Sequence, residues 1–178
     1  MEINKSPQNG SSLIEAMVTV ALLAVASSIA WPSLSALYRT HQVRAAMFEL
    51  AAHLATARST SIARGSPVGM CPMASSDTCA TDHDWTSGWL VYVDPDGNRR
   101  PDTASDVIVS VIPTGSARLS IRTSSGRTQV RYGSLGNTLG TNVTFHICQD
   151  GILEAQVIAS VAGRPRSLRP SSRQPCPS

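Results

Sequence analysis

Residues 10–38 read GSSLIEAMVTVALLAVASSIAWPSLSALY, and this stretch decides the fold of the chain. Its apolar core, residues 16–30, contains only three polar side chains, Thr19, Ser27 and Ser28. A run of about 20 apolar residues is long enough to cross a bilayer as a helix. Glu15 is the exception, because a carboxylate inside a membrane helix costs roughly 2.5 to 3.5 kcal/mol on insertion scales. We therefore expect Glu15 to lie near the interface or to meet a partner such as an amino group.

The order Gly10, four residues, Glu15 and an apolar helix resembles the processing signal of the type IV pilin-like proteins. The resemblance implies cleavage after Gly10, which makes Ser11 the new N-terminus and Glu15 the fifth mature residue. Pro32 then stands at the twenty-second mature position, where major pilins often carry a helix-kinking proline. Ser11 replaces the usual phenylalanine of the family, and the resemblance still implies methylation of its amino group.

In such proteins the buried acid has an assembly role. Inside a bundle of packed helices, Glu15 could neutralise the Ser11 amine of a neighbouring subunit and so fix the register of the subunits. The resemblance implies other pilins or pseudopilins, a prepilin peptidase and the bacterial inner membrane as partners. It further implies a single-pass protein with a periplasmic domain, which enters a pilus or pseudopilus after assembly.

Two simpler explanations of the apolar run remain as alternatives. A secretory signal peptide has an apolar core of 7 to 15 residues and a small-residue cleavage site after it, whereas this run is longer and Glu15 interrupts its start. A plain membrane anchor explains the length of the run but neither Gly10 nor the position of Glu15.

The helix is expected to continue to about Arg64, where Gly65, Ser66 and Pro67 end it. One buried face is predicted by residues at steps of three and four: Val43, Met47, Leu50, Leu54 and Ala57. The predicted organisation is a leader at 1–10, a membrane and assembly half of the helix at 11–38, an amphipathic half at 39–64, and a periplasmic β-rich domain at 65–178.

Seven short segments rich in Val, Ile and aromatic residues follow the helix, separated by turn residues. They are Val68–Cys71, Gly88–Val93, Val107–Ile112, Arg118–Thr123, Thr128–Tyr132, Val143–Cys148 and Ile152–Val161. The glycines at 133, 136 and 140 predict a hairpin loop, since their spacing does not fit a nucleotide-binding fingerprint. The pattern predicts an α+β fold, with the long N-terminal helix packed on an antiparallel β-sheet domain.

Four cysteines, Cys71, Cys79, Cys148 and Cys176, lie beyond the apolar run. An even number in an exported domain indicates two disulfides, and three pairings are possible. We favour Cys71 with Cys79 and Cys148 with Cys176, because each bond closes one local loop. Zinc bound by Cys71, Cys79 and His83 is the competing interpretation, although the spacing matches no paired template.

The acidic loop 94–106 superficially resembles a calcium loop at Asp94, Asp96 and Asn98. Arg99 stands where such a loop needs glycine, and Ser105 where it needs glutamate. Asx-turns explain the pattern better, so we expect no metal site.

Charge is distributed unevenly along the domain. Residues 65–110 contain seven aspartates and two arginines, a net charge of −5, whereas residues 111–178 carry eight arginines and two acids, a net charge of +6. The only lysine is Lys5, so every positive side chain after residue 10 is an arginine. Guanidinium groups bind phosphate bidentately, and a polyanion would be drawn to the basic half.

The C-terminal sequence Gly163-Arg164-Pro165-Arg166, with Ala57-Arg58, Cys71-Pro72, Gly88-Trp89 and Cys148, resembles the GspH/FimT branch of the pilin-like proteins. Some FimT-type members are implicated in binding DNA during natural transformation through this Gly-Arg-x-Arg region. The resemblance therefore implies a minor pilin of the type IV pilus that binds double-stranded DNA without sequence specificity through Arg164, Arg166, Arg169 and Arg173, which lie in a short exposed segment. A solvated basic tail without a ligand is the simpler alternative.

A GspH-type minor pseudopilin of the type II protein secretion system, with a purely structural role, is the alternative function. An anchored periplasmic enzyme is disfavoured. The sequence lacks the hydrolase pattern G-x-S-x-G, and His146, which lies in an alternating strand, is expected to be half-buried in a sheet rather than a catalytic base. We expect neither a catalytic residue nor a cofactor.

Cleavage after Gly10 predicts a defined mass for the mature protein. Intact-mass analysis of the protein extracted from membranes should show the loss of the first ten residues, with Ser11 as the N-terminus. An intact Met1 start, or a cut beyond Ala30 that releases a soluble product, would contradict the pilin-like interpretation.

Overall fold

The computed structural model describes residues 12–113 and 118–177. The predicted leader, residues 1–10 with Gly10 at its end, and the predicted new N-terminus Ser11 lie outside the described residues. The chain divides between Arg39 and Thr40 into two compact units.

Helix α1 spans Leu13–Arg64, as the sequence predicts. At its end the Gly65 N–H donates to the Ile62 carbonyl at 3.3 Å and the Ser66 N–H to the Ser61 carbonyl at 3.3 Å. Within the described residues, no single helix meets the length and hydropathy criteria for crossing a membrane. The pieces Leu13–Ser28 and Ser33–Arg64 meet them only when taken together, and they are bent by 41° across the interval that contains Pro32.

The second half of α1 carries the predicted apolar stripe. Val43, Met47, Leu50, Leu54 and Ala57 are all buried, and Ala46 joins them. This stripe and the inner faces of the strands form one core cluster, in which Trp85 packs edge-on against Phe145 with ring centroids 4.8 Å apart. The face of α1 that is buried is therefore the face that the amphipathic pattern predicts.

Nine strands follow α1 in the part of the chain that the structure describes. They are β1 (Val68–Ser75), β2 (Thr78–Cys79), β3 (Trp89–Val93), β4 (Val107–Val111), β5 (Leu119–Thr123), β6 (Val130–Tyr132), β7 (Val143–Gln149), β8 (Ile152–Ala159) and β9 (Pro165–Leu168). One sheet has the order β2-β1-β3-β4, with β6 also paired to β1, and the other has the order β5-β7-β8-β9. Every pairing is antiparallel.

The predicted α+β architecture is therefore confirmed, with two differences. The strands form two sheets instead of one. Strands β2 and β9 are additional to the seven predicted segments. The predicted glycine-bearing hairpin loop is present after β6. Tyr132 bridges Thr138, the Gly133 N–H donates to the Asn137 carbonyl at 2.9 Å, and the Leu139 N–H donates to the Arg131 carbonyl at 2.7 Å. The chain then continues to β7 in the other sheet.

Both favoured disulfides are present. Cys71 and Cys79 have Cα atoms 5.6 Å apart, and Cys148 and Cys176 have Cα atoms 5.8 Å apart. The first bond joins β1 to β2, and the second ties the C-terminal segment to β7. Because Cys71 and Cys79 are bonded to each other, neither sulfur is a thiolate that could bind zinc.

A close junction fixes the start of the C-terminal segment to α1. Gly163 is buried and has a φ of 80°, and its Cα lies against the Gly136 carbonyl oxygen, so that an added Cβ would collide with that atom. The Arg58 Nε–H donates to the same oxygen at 2.9 Å. Three distant parts of the sequence thus meet at one carbonyl group, and only glycine fits at position 163.

Gly163→Ala tests this junction. A Cβ at 163 meets both an unfavourable φ and a backbone oxygen, so we expect the free energy of unfolding to fall by about 1 to 3 kcal/mol more than in Gly151→Ala. Gly151 is the matched control, since its φ of 76° is equally unfavourable for alanine but a Cβ there meets no atom within 4 Å. Denaturant titration of the full chain in detergent, followed by tryptophan fluorescence, gives both values. Equal losses in the two variants would show that the close contact contributes nothing.

Candidate nucleic-acid interface

Arg164 and Arg166 lie on an ordered hairpin. The turn before β9 is closed by the Gly163 N–H, which donates to the Ser160 carbonyl at 2.8 Å, and by the Ser160 hydroxyl, which donates to the Arg164 carbonyl at 3.1 Å. Arg166 then pairs across the strands with Ile158 of β8. Both arginines are exposed, while the backbone of Arg166 is held by the sheet and that of Arg164 by the turn.

Arg169 and Arg173 lie farther along the same segment and line a second surface. They form a groove of ≈ 480 Å³ with the start of β8, including Ile152, Leu153 and Glu154. Backbone bonds from the Leu153 N–H to Gln174 and from the Cys176 N–H to Gly151, both 2.9 Å, hold the segment in place. The tail predicted as a short exposed segment is thus docked through its backbone, and the groove carries one carboxylate beside its two arginines.

The outer face of the second sheet carries a further arginine, Arg122, which is not among the candidate DNA-binding residues of the sequence analysis. Arg122 of β5, His146 of β7, Gln156 of β8 and Leu168 of β9 are consecutive cross-strand partners, so their side chains share one face. Arg166 lies on this face in the next row, opposite Ile158. The alternation in β5 already predicts that Arg122 points away from the core, and its burial pattern confirms this.

His146 is half-buried in this sheet, as predicted. Its Nδ1 lies 3.2 Å from Gln156 Nε2. Burial lowers the pKa of the His146 imidazole below its ordinary value, because the charged form loses hydration. The ring is therefore mainly uncharged at pH 7, and the positive charge of this face comes from Arg122 and Arg166. Two exposed acids share the face, Asp84, which bridges to Arg122, and Glu154 of β8.

The acidic loop is organised by hydrogen bonds of its own. The Asn98 N–H donates to Asp96 Oδ1 at 3.3 Å and the Arg100 N–H to Asn98 Oδ1 at 3.0 Å, which are the expected Asx-turns. Asp94 is fully buried and receives Arg131 Nε–H at 2.9 Å and Arg131 Nη2–H at 2.8 Å. No group of three or more His, Cys, Asp or Glu side chains suited to a metal ion occurs among the residues that the structure describes.

Glu15 lies in the first turn of α1 and is exposed in the single chain. So are the large apolar side chains that follow it: Met17, Val18, Val20, Leu22, Leu23 and Val25. An apolar surface of this extent is typical of contact with lipid or with other subunits.

The comparisons with known proteins agree with this architecture. The family model described as type II transport protein GspH matches residues 46–167, and the model of the prokaryotic N-terminal methylation motif matches residues 5–31. Comparison with the sequences of curated proteins gives no significant match.

Two crystal forms of the type IV minor pilin FimU from Pseudomonas aeruginosa strain PAO1 share the fold. The form in space group P21 has a TM-score of 0.60 and 20% sequence identity, and the alignment covers 78% of this chain and 96% of FimU. The form in space group P65 has a TM-score of 0.51 and 19% identity, covering 74% and 96%. At this level of identity the likeness concerns the fold, a long N-terminal helix packed on an antiparallel β-domain. Since the GspH model spans well over half of the residues, the chain belongs to the GspH family of pilin-like proteins.

Proposed function

We propose that this chain is a minor pilin of a type IV pilus and that it binds double-stranded DNA, without sequence specificity, through the segment that begins at Gly163. The observation that carries the proposal is the ordered display of Arg164 and Arg166 on the β8–β9 hairpin. Ordering the backbone in advance lowers the entropy cost of binding. An unstructured basic tail would have to be ordered on contact with its ligand.

In this proposal, the N-terminal part of the chain anchors the protein in the membrane and joins it to other pilin subunits. Residues 1–10 are the leader, residues 11–38 the membrane and assembly half of the helix, residues 39–64 its amphipathic half, and residues 65–178 the periplasmic domain. The exposed apolar surface after Glu15 supports insertion in the inner membrane before assembly and contact with other pilins afterwards. A prepilin peptidase cuts after Gly10, the Ser11 amino group is then methylated, and Glu15 pairs with the Ser11 amine of a neighbouring subunit.

The geometry of the outer face suits the phosphate backbone of a duplex. Arg122 and Arg166 lie on strands three steps apart in the sheet order, which corresponds to about 14 Å at the usual strand spacing. The major groove of B-DNA is about 12 Å wide, so two long side chains at this separation can reach phosphates on its two sides. Arg164 at the hairpin end adds a third cation to the same neighbourhood.

Arg169 and Arg173 have a secondary part in this proposal. Glu154 lines their groove and opposes the approach of a phosphate, whereas the hairpin arginines extend from the edge of the sheet. None of the residues that line the groove is aromatic, so base stacking is not the main contact. Binding should therefore depend on phosphate neutralisation and weaken steeply with salt.

The DNA proposal predicts a specific loss in the variant Arg164→Gln/Arg166→Gln. Fluorescence anisotropy of labelled duplex DNA with the full chain in detergent, over a salt series, should show at least about tenfold weaker binding at low salt. The slope of log affinity against log salt should decrease by about 1.8, because two phosphate contacts are lost. Arg44→Gln/Arg100→Gln is the matched control, since it removes two exposed arginines from other parts of the chain. Unchanged binding in the first variant, or equal losses in both, would refute a DNA site at the hairpin.

A minor pseudopilin of a type II secretion system is the second candidate. The description of the matching family model favours it. In that setting the hairpin arginines would contact other subunits, and no DNA binding is expected. Neighbouring genes for pilus assembly would favour the first candidate, and a secretion operon the second.

A further inference from the structure

We propose that a cavity beside β6 is a binding site for a phosphate group, separate from the C-terminal hairpin. The cavity has a volume of ≈ 280 Å³ and is lined by Arg99, Gly126, Arg127, Thr128, Gln129, Arg131 and Leu139. These residues come from the acidic loop, from the β5–β6 connection, from β6 and from the loop after it. We will call this feature the three-arginine cavity.

The charge of the lining selects an anion. Three arginines line the same space, and none of the described residues that line it is acidic. The carboxylate of Asp94 contacts two of the lining residues: it already accepts Arg131 through Oδ2 and the Arg99 backbone N–H through Oδ1 at 3.1 Å. Like charges brought together in this way repel one another, and an oxyanion in the cavity would relieve that repulsion.

Two of the three guanidinium groups are held in place by the fold. Arg131 pairs with the buried Asp94. Arg127 donates through Nε to Thr141 Oγ1 at 3.1 Å and through Nη1 to the Leu139 carbonyl at 2.8 Å. Its guanidinium lies against the Cα of Gly140, whose φ is 128° and where any Cβ would overlap it. Such fixed donors lose little entropy when they bind an oxyanion.

Arg99 differs from the other two. Within the described part of the chain its backbone donates to Asp94, while its side chain has no hydrogen-bond or ion-pair partner. It is exposed, so its guanidinium group can turn to a ligand that Arg127 and Arg131 also contact. Gln129 adds a neutral donor, because the Tyr92 hydroxyl donates to its Oε1 at 3.1 Å and so leaves its amide nitrogen as the group that can donate.

The size of the cavity fits a compact tetrahedral anion. One water occupies about 30 Å³ of liquid, so the volume admits a phosphate group together with several waters. Guanidinium groups match the oxygens of phosphate in bidentate geometry. Both inorganic phosphate and a phosphate ester present oxygens that these guanidinium groups can bind. The experiment below distinguishes these two kinds of ligand.

Calorimetric titration of the full chain in detergent with inorganic phosphate tests the proposal, with sodium chloride of equal ionic strength as the reference. We expect saturable binding of one phosphate per chain. Arg99→Gln should weaken it by at least about tenfold, because one charge-assisted contact is lost. Arg100→Gln is the matched control: it removes an exposed arginine from the next position, which does not line the cavity, and should change affinity less than twofold. Phosphate should raise the melting temperature of the wild type and of Arg100→Gln more than that of Arg99→Gln.

The same titration in Arg164→Gln/Arg166→Gln separates this site from the proposed DNA interface. Unchanged phosphate binding in that variant supports the three-arginine cavity even if DNA binding at the hairpin fails. Competition by duplex DNA that lacks terminal phosphates would identify a diester as the ligand, and absence of competition would identify free phosphate or a monoester. No saturable phosphate binding, or equal losses in Arg99→Gln and Arg100→Gln, would overturn the proposal.

Discussion

Burial of one apolar stripe of α1 is the constraint on which the domain depends. Leu50, Leu54 and Ala57 have no exposed surface, and they belong to the same core cluster as residues of both sheets, such as Val68 and Phe145. A fully buried leucine contributes about 1.5 to 3 kcal/mol relative to an exposed one, so these positions supply much of the core. The two sheets share none of the described strands, so this packing joins them, together with backbone hydrogen bonds between residues 83–85 and β5. The Arg58 contact with Gly136, one turn beyond Leu54, orients the loop and the tail on the same helix.

Much of this fold follows from local patterns. The end of α1, predicted at about Arg64, lies at that residue, because an apolar run and then an amphipathic stripe end before Gly65 and Pro67. All seven predicted strands exist, since alternating Val and Ile between turn residues is a strong signal. Strand β9 was missed because Pro165 and its arginines resemble a tail, and its pairing is provided by β8. The division into two sheets depends on contacts between distant residues, which no local pattern specifies.

The site could be predicted only in part. Gly163, Arg164 and Arg166 were selected by resemblance, and the structure adds a physical reason for the glycine, which is the close approach of the Gly136 carbonyl. Arg122 could have been identified as a candidate site residue, because the alternation of β5 already places its side chain on the outer face of the sheet. The three-arginine cavity could not be predicted, because Arg99 lies about 30 residues before Arg127 and Arg131, and only folding brings these segments together. The negative segment 65–110 is likewise partly neutralised within the domain, where Asp94 is bound by Arg131.

The position of β9 at the end of its sheet has a further consequence. Among the described strands it has one neighbour, β8, so its other side presents backbone donors and acceptors that could recruit a strand from another molecule. Pro165 removes one of these donors, and the adjacent guanidinium groups repel an identical strand that carries the same charges. The residues proposed to hold nucleic acid therefore also disfavour edge-to-edge pairing of two identical domains at high concentration. Loss of their charge would favour self-association of the domain.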